Sequence, residues 1–145
     1  MKTLEDRWYH YKAMYVWGGV LRKFAERRYF FTQIVHACDI PLQIKIGQNI
    51  KFGHRGIRIV IHKDTIIGDN VHIMQNVTIG AKEGAAPIIG NNVLIGAGAV
   101  ILGNVTIGDD SIVGANAVVT KNVEKGSVVY GIPAIKKANK DMGEK

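Results

Sequence analysis

The sequence predicts an all-β chain, a parallel β-helix behind a short α-helical segment, on three observations. Between Ile61 and Glu124 a large apolar residue returns every six positions, at Ile61, Ile67, Ile73 and Ile79 and then, after a slip of four, at Ile89, Ile95, Ile101, Ile107, Val113 and Val119. Glycine directly follows many of these, as in Ile67-Gly68, Ile79-Gly80 and Ile95-Gly96. Four residues after each apolar position stands a small or β-branched residue, from Thr65, Val71 and Val77 to Ala117 and Val123. A helix needs apolar spacings of three and four, and an isolated strand alternates by two. A period of six fits a solenoid of very short strands and turns.

Packing explains the residue types. Each hexapeptide forms one flat face of a triangular prism, and three of them complete a coil. The apolar residue points inward, and the small residue at the fifth place does too, because two bulky chains per face would overfill so narrow a core. Glycine stands where a Cβ would crowd the corner. Stacked coils share backbone hydrogen bonds, so none is stable alone.

Residues 1–37 read as helical. Thr3 and Asp6 resemble a capping box, Gly18-Gly19 marks a break, and Leu21, Phe24, Phe31 and Val35 fall near one face at helical period. The aromatics of this segment exceed what a short helical pair can bury. They pack on the end of the β-helix or between subunits, or else rest on a membrane interface. From residue 38 to 135 the hexad runs, faintly at first through Ile40, Ile46-Gly47 and Phe52-Gly53. It is interrupted twice, by three extra residues between Phe52 and Ile61 and by four between Ile79 and Ile89. Removing them leaves a little over four coils. Insertions bulge from the prism and commonly build the working face. Gly131-Ile-Pro-Ala stops the coil, and residues 136–145 form a charged tail.

Composition sets outer limits. The 145 residues suit one domain, and the single Cys38 excludes an internal disulfide and fits a reducing, cytoplasmic compartment. No apolar run is long enough to span a bilayer, and the N-terminus lacks a signal-peptide pattern. The net charge of +7 is concentrated in residues 1–36 and in the tail. Such a balance suits a phosphorylated ligand or an anionic surface. Nucleic acid is disfavoured, because no recognised binding module accompanies the charge.

In the first interruption His54 lies between Gly53 and Gly56, which bare the backbone and expose the imidazole. From spacing alone it is either an ordinary surface residue or a catalytic base. Asp39 comes within one coil of it and would either fix the imidazole's tautomer or cap the start of the β-helix. His62 is the nearest competitor, and His36 with Cys38 is too sparse a set for zinc.

The segments Asp39-Ile-Pro, Gly53-His54, Ile73-Met-Gln-Asn-Val-Thr-Ile-Gly80, Ile95-Gly-Ala-Gly-Ala99, Ile101-Leu-Gly-Asn104 and Gly131-Ile-Pro-Ala134 resemble the serine acetyltransferase branch of hexapeptide acyltransferases. Within it the likeness is to short sugar O-acetyltransferases of surface-polysaccharide clusters. The resemblance covers about residues 36–137. It implies a left-handed β-helix, a homotrimer with active sites between subunits, and acetyl-CoA as donor. It also implies that His54 is the catalytic base and Asp39 its partner. An N–H near Gly80 or Ala81 would stabilise the oxyanion, the backbone at Ala97 and Ala115 would pair with pantetheine, and Lys121, Lys136 or Lys137 would meet the CoA phosphates. No metal is called for.

Two departures shape the expected acceptor. The second interruption, Ala81-Lys-Glu-Gly-Ala-Ala-Pro87, has Ala85 and Ala86 where the family places an Arg and a His that hold the amino acid. Gly53 stands where it places an acid. The expectation is therefore O-acetylation of a sugar hydroxyl in polysaccharide biosynthesis, in the cytoplasm or at the inner membrane face. Serine O-acetylation is the alternative. A carbonic-anhydrase-like or non-catalytic β-helix is more remote, since His54 and His62 lack an evident third histidine.

Overall fold

The computed structural model describes residues 8–9, 11–13 and 19–137. The expected capping box at Thr3 and Asp6, His10, Gly18 and the tail beyond 137 lie outside these residues. The chain runs through α1 (Gly19–His36), β1 (Lys45–Ile46), β2 (Lys51–Phe52), a 3-10 turn (Gly53–Gly56), β3 (Val60–Ile61), β4 (Ile66–Ile67), β5 (His72–Ile73) and β6 (Thr78–Gly80). It continues through β7 (Ile88–Ile89), β8 (Leu94–Ile95), β9 (Val100–Leu102), β10 (Thr106–Ile107), β11 (Ile112–Val113), β12 (Val118–Val119), β13 (Val128–Tyr130) and β14 (Ile135–Lys136).

These strands stack into three sheets, the faces of the expected parallel β-helix. Sheet I is β1-β4-β7-β10, sheet II is β2-β5-β8-β11-β13 with β14 at its edge, and sheet III is β3-β6-β9-β12. The register reproduces the sequence arithmetic. Partners lie one regular coil apart where nothing intervenes, as in Ile61↔Ile79 and Ile101↔Val119. The separation grows by three across the first interruption, in Phe52↔Ile73, and by four across the second, in Ile73↔Ile95. Both insertions are therefore pushed outside the stack. Only β14 runs antiparallel, closing sheet II at its upper edge.

The hexad apolar residues from Ile61 to Val119 are buried, and so are the small ones between them, Thr65, Val71, Val77, Val93, Ala99, Val105, Ser111 and Ala117. Each large aliphatic contributes about 1.5–3 kcal/mol on burial. The glycines keep the coils close. A Cβ on Gly96 would stand 2.5 Å from the backbone nitrogen of Ala115 in the next coil.

Below the prism, α1 ends in a Schellman pattern. Ala37 takes φ 48, its N–H donates to Ile34 O, and Cys38 N–H donates to Gln33 O. The face that joins the core differs from the expected one. Ala25, Tyr29, Thr32 and His36 are buried, whereas Phe31 is 62% and Val35 75% exposed. The helix is rolled so that its aromatic-aliphatic stripe (Phe30, Phe31, Ile34, Val35) looks outward. Trp8 and Tyr29 close the bottom of one continuous core that includes Ile40, Leu42 and Ile44. Tyr9 is tied to the first coil through its hydroxyl, which donates to Gly47 O at 2.9 Å. Lys12 lies 4.6 Å over the Trp8 ring and donates to Ile44 O. Its partial burial lowers its pKa.

Candidate functional site

The first interruption is a rigid bulge at the corner between sheets II and III. It starts at Gly53, where a Cβ would come within 2.7 Å of Met74 Sδ, so a larger residue there would have to shift that side chain. His54 and Arg55 then take left-handed backbone, φ 48 and 63, followed by Gly56 at φ 69 and Arg58 at φ 55. Three backbone bonds pin the loop: Ile59 N–H to Gly56 O, Asn76 N–H to Ile57 O in the coil above, and Arg58 N–H to His36 O at the end of α1. His54 is exposed, and its ring makes no hydrogen bond among the described residues.

Asp39 begins sheet III. It bridges Val60 in parallel, with Asp39 N–H donating to Ile59 O and Ile61 N–H to Asp39 O, both at 2.8 Å. Its backbone starts the sheet while its exposed carboxylate stays free for another task, beside the strand that leaves the bulge. That carboxylate accepts a 3.3 Å hydrogen bond from Gln33 Nε2 on α1. Gln33 carries no signal in the sequence, since only the docking of α1 brings it to Asp39. Nearby, burial, then Asp39's charge, push the Cys38 thiol up to about 11, so it stays protonated and a poor nucleophile.

Above the bulge the same corner carries Gln75, Ala97 and Ala115, one per coil. Their neighbours' backbone groups are spoken for, as in Gly98 N–H to Gln75 O and Asn116 N–H to Ala97 O. The N–H groups of Gln75, Ala97 and Ala115 themselves donate no hydrogen bond among the described residues. They form a column of bare donors rising from His54, spaced by about 4.8 Å, the distance between neighbouring strands. The side-chain oxygen of Gln75 is buried there without a partner, an acceptor that the sequence reading passed over. This column fits an extended amide chain such as the pantetheine arm of CoA.

The remaining candidates sit elsewhere in the same chain. Gly80, Ala81 and Lys121 lie at the corner between sheets III and I. There the 81–87 loop and Leu102–Val105 flank a groove of about 580 Å³ lined by Lys82, Glu83, Ala85, Leu102, Asn104 and Thr120 among others. His62 is also at this corner, where its Nδ1 accepts from Asp64 N–H at 3.3 Å. Lys136 is engaged with Glu124, at 2.6 Å, and this pairing lowers the Glu124 pKa. Lys137 is exposed, its N–H bonded to Val128 O. His54, Ala97 and Ala115 thus share the corner between sheets II and III, with Asp39 bridged to the strand that leaves it, while Gly80, Ala81 and the lysines lie elsewhere. Among the described residues no three His, Cys, Asp or Glu side chains converge as a metal site.

Residues 86–121 match the family described as bacterial transferase hexapeptide (six repeats). This chain belongs to the hexapeptide-repeat family. Within that family it is similar to serine acetyltransferases. It is 38% identical over 130 residues to the serine acetyltransferase of Mycobacterium tuberculosis, covering 87% of this chain and 56% of that one. The soybean serine acetyltransferase complexed with serine superposes with a TM-score of 0.80 at 33% identity, over 92% of this chain and 56% of that one. A serine acetyltransferase in complex with CoA gives 0.78 at 30% identity, over 92% and 55%. The chain spans about half the length of the curated relatives it matches.

These likenesses overturn the sugar acceptor and the polysaccharide setting expected from the sequence. That expectation rested on Ala85 and Ala86 in one loop and on Gly53 beside the base. Charges missing from one loop do not decide which charges surround the base, and the bulge itself carries Arg55 and Arg58.

Proposed function

We propose that this hexapeptide-repeat chain is an acetyl-CoA-dependent serine O-acetyltransferase. The observation that carries the proposal is the column of bare N–H donors at Gln75, Ala97 and Ala115, rising from an exposed, unbonded His54. Likeness to serine acetyltransferases, one of them in complex with CoA, supports both the donor and the acceptor.

In this reading His54 takes the proton of the serine hydroxyl as that oxygen attacks the thioester carbonyl. The carbonyl becomes an oxyanion, then re-forms as the C–S bond breaks, and the His54 proton passes to the departing CoA sulfur. General-base action of this kind contributes about 10²–10⁴-fold. Asp39, held by Gln33, lies on the strand beside the bulge and steadies the imidazolium. Their contact closes when substrate orders the site, as catalytic hydrogen bonds often do. The amides of Ala97 and Ala115 take the pantetheine arm, and an N–H at Gly80 or Ala81 receives the oxyanion.

Gly80, Ala81 and Lys121 stand at a different corner from His54, so the site is completed by a neighbouring copy. We infer a homotrimer. The outward aliphatic residues Ile66 and Ile88 on sheet I and Leu94 and Ile112 on sheet II offer it apolar contact area, as does the exposed stripe of α1. Residues 38–135 carry the chemistry, flanked by the 1–37 segment and the 136–145 tail. Lys121 and Lys137 are the cations open to the CoA phosphates, and Lys136 serves only by leaving Glu124. No described helix is long and apolar enough to cross a membrane. The cytoplasm is where we place the enzyme, with its acetyl-CoA.

Steady-state assays with acetyl-CoA test the reading. L-serine should be acetylated with kcat/KM of about 10⁴ M⁻¹s⁻¹ or more, the ordinary enzyme range. Turnover of other hydroxyl compounds with none of L-serine would overturn it.

A further inference from the structure

The β-helix turns its corners on left-handed residues, and outside the bulge six of the eight described non-glycine ones are Asn or Asp (Asn49, Asn70, Asn76, Asn92, Asp110 and Asn116), the other two being Ala37 after α1 and Glu83 in the 81–87 loop. Their short polar chains tolerate that backbone and bond locally. The bulge departs from this rule. Arg55 and Arg58 hold φ 63 and 55, on either side of Gly56-Ile57 and directly after His54. Arginine gains nothing from left-handed backbone, and strain of this kind gathers at functional sites. Both side chains are exposed. Neither guanidinium makes an ion pair or hydrogen bond among the described residues. Asp39, which bridges Val60 on the strand after the bulge, accepts from Gln33 instead.

A serine zwitterion leaving water needs its carboxylate paired. Its hydroxyl and carboxylate are separated only by Cβ and Cα, so the base and the carboxylate's partner must be neighbours. Arg55 is the chain neighbour of His54, with Cα atoms about 3.8 Å apart. Arg58, three residues further on, is anchored through its N–H to His36 O at the end of α1. A guanidinium fork matches a carboxylate in two parallel hydrogen bonds.

We propose that Arg55 and Arg58 bind the carboxylate of the amino-acid acceptor beside His54, supplying the charge that Ala85 and Ala86 leave out of the 81–87 loop. This rests on the serine reading. It makes the bulge the specificity element as well as the seat of the base.

The test compares L-serine with L-serinamide, which keeps the hydroxyl and ammonium but has no carboxylate, using the full chain and acetyl-CoA. Wild type should prefer L-serine by about 10- to 100-fold in kcat/KM, the worth of a charged hydrogen bond. The double variant Arg55→Gln/Arg58→Gln should lose that preference through a higher KM for L-serine, with KM for acetyl-CoA and turnover of L-serinamide unchanged. Lysine at both positions should restore part of it. An unchanged KM for L-serine, an equal loss on both acceptors, or a raised KM for acetyl-CoA would overturn the proposal; the last would assign the arginines to the CoA phosphates. These outcomes refute the arginine pair alone, because wild type still acetylates serine. Wild type that acetylates neither compound refutes the serine reading and the pair with it.

Discussion

Two corners of the same prism have the same turn geometry and opposite chemistry. At the corner between sheets I and II, the first turn residue of one coil donates its N–H to a side chain of the next. Gln48 N–H meets Asp69 Oδ1 at 2.7 Å, Asp69 N–H meets Asn91 Oδ1 at 2.8 Å, and Asn91 N–H meets Asp109 Oδ1 at 2.7 Å. Beside it runs a second ladder, Asn49 to Asn70 to Asn92 to Asp110, ended by Lys125 at 3.4 Å. From Gln48 to Asn91 that corner satisfies itself. At the corner between sheets II and III the equivalent residues are Gln75, Ala97 and Ala115, and no side chain covers their N–H groups. Alanine has nothing to donate or accept, so the sequence leaves this edge open to a ligand. The contrast teaches that in a repeat fold one corner can complete its own hydrogen bonds while the next leaves its backbone donors bare.

Four changes would break or sharpen the comparison. The largest effect is expected at the foot of the open corner. His54→Ala should lower kcat by about 10²–10⁴-fold while acetyl-CoA binding, read by calorimetry, stays nearly intact. Asp39→Asn should cost less, since it removes support for the base and not the base itself. Near wild-type kcat in His54→Ala at saturating acceptor would refute the assignment.

A smaller effect tests the open donors directly. Ala115 precedes Asn116, whose φ is 56, and is not itself left-handed, which is the first central position of a type II turn. Proline suits that position and lacks only the N–H. Ala115→Pro should therefore leave the melting temperature almost unchanged and raise KM for acetyl-CoA about 2- to 10-fold, the worth of one neutral hydrogen bond. A large fall in melting temperature would mean that the N–H is used within the fold.

The smallest effect belongs to the closed corner. Asp69→Ala strips the acceptor from Gln48 N–H and should cost about 0.5–1.5 kcal/mol in denaturant unfolding, with kcat/KM unaltered. A change in activity there would erase the distinction between the corners.

Much of this was legible in the residues. The period of six, the glycines beside the large aliphatics and the alternation of large and small inward positions describe local geometry and core volume, and each residue states its own part. The two interruptions could be counted for the same reason, and counting them gave the register to the residue. His54 stood out as an exposed candidate because glycines flank it, and its reading as the base came from the family resemblance. Other features came only with the tertiary structure. The face of α1 that packs is Ala25, Tyr29, Thr32 and His36, because docking under a prism of fixed width decides the roll of a helix that is apolar on more than one side. Gln33 reaches Asp39 through that docking alone. The bare N–H column was named at Ala97 and Ala115 only through the family resemblance and missed at Gln75, since a backbone donor leaves no mark in the sequence, and whether it is covered depends on the residue stacked one coil away.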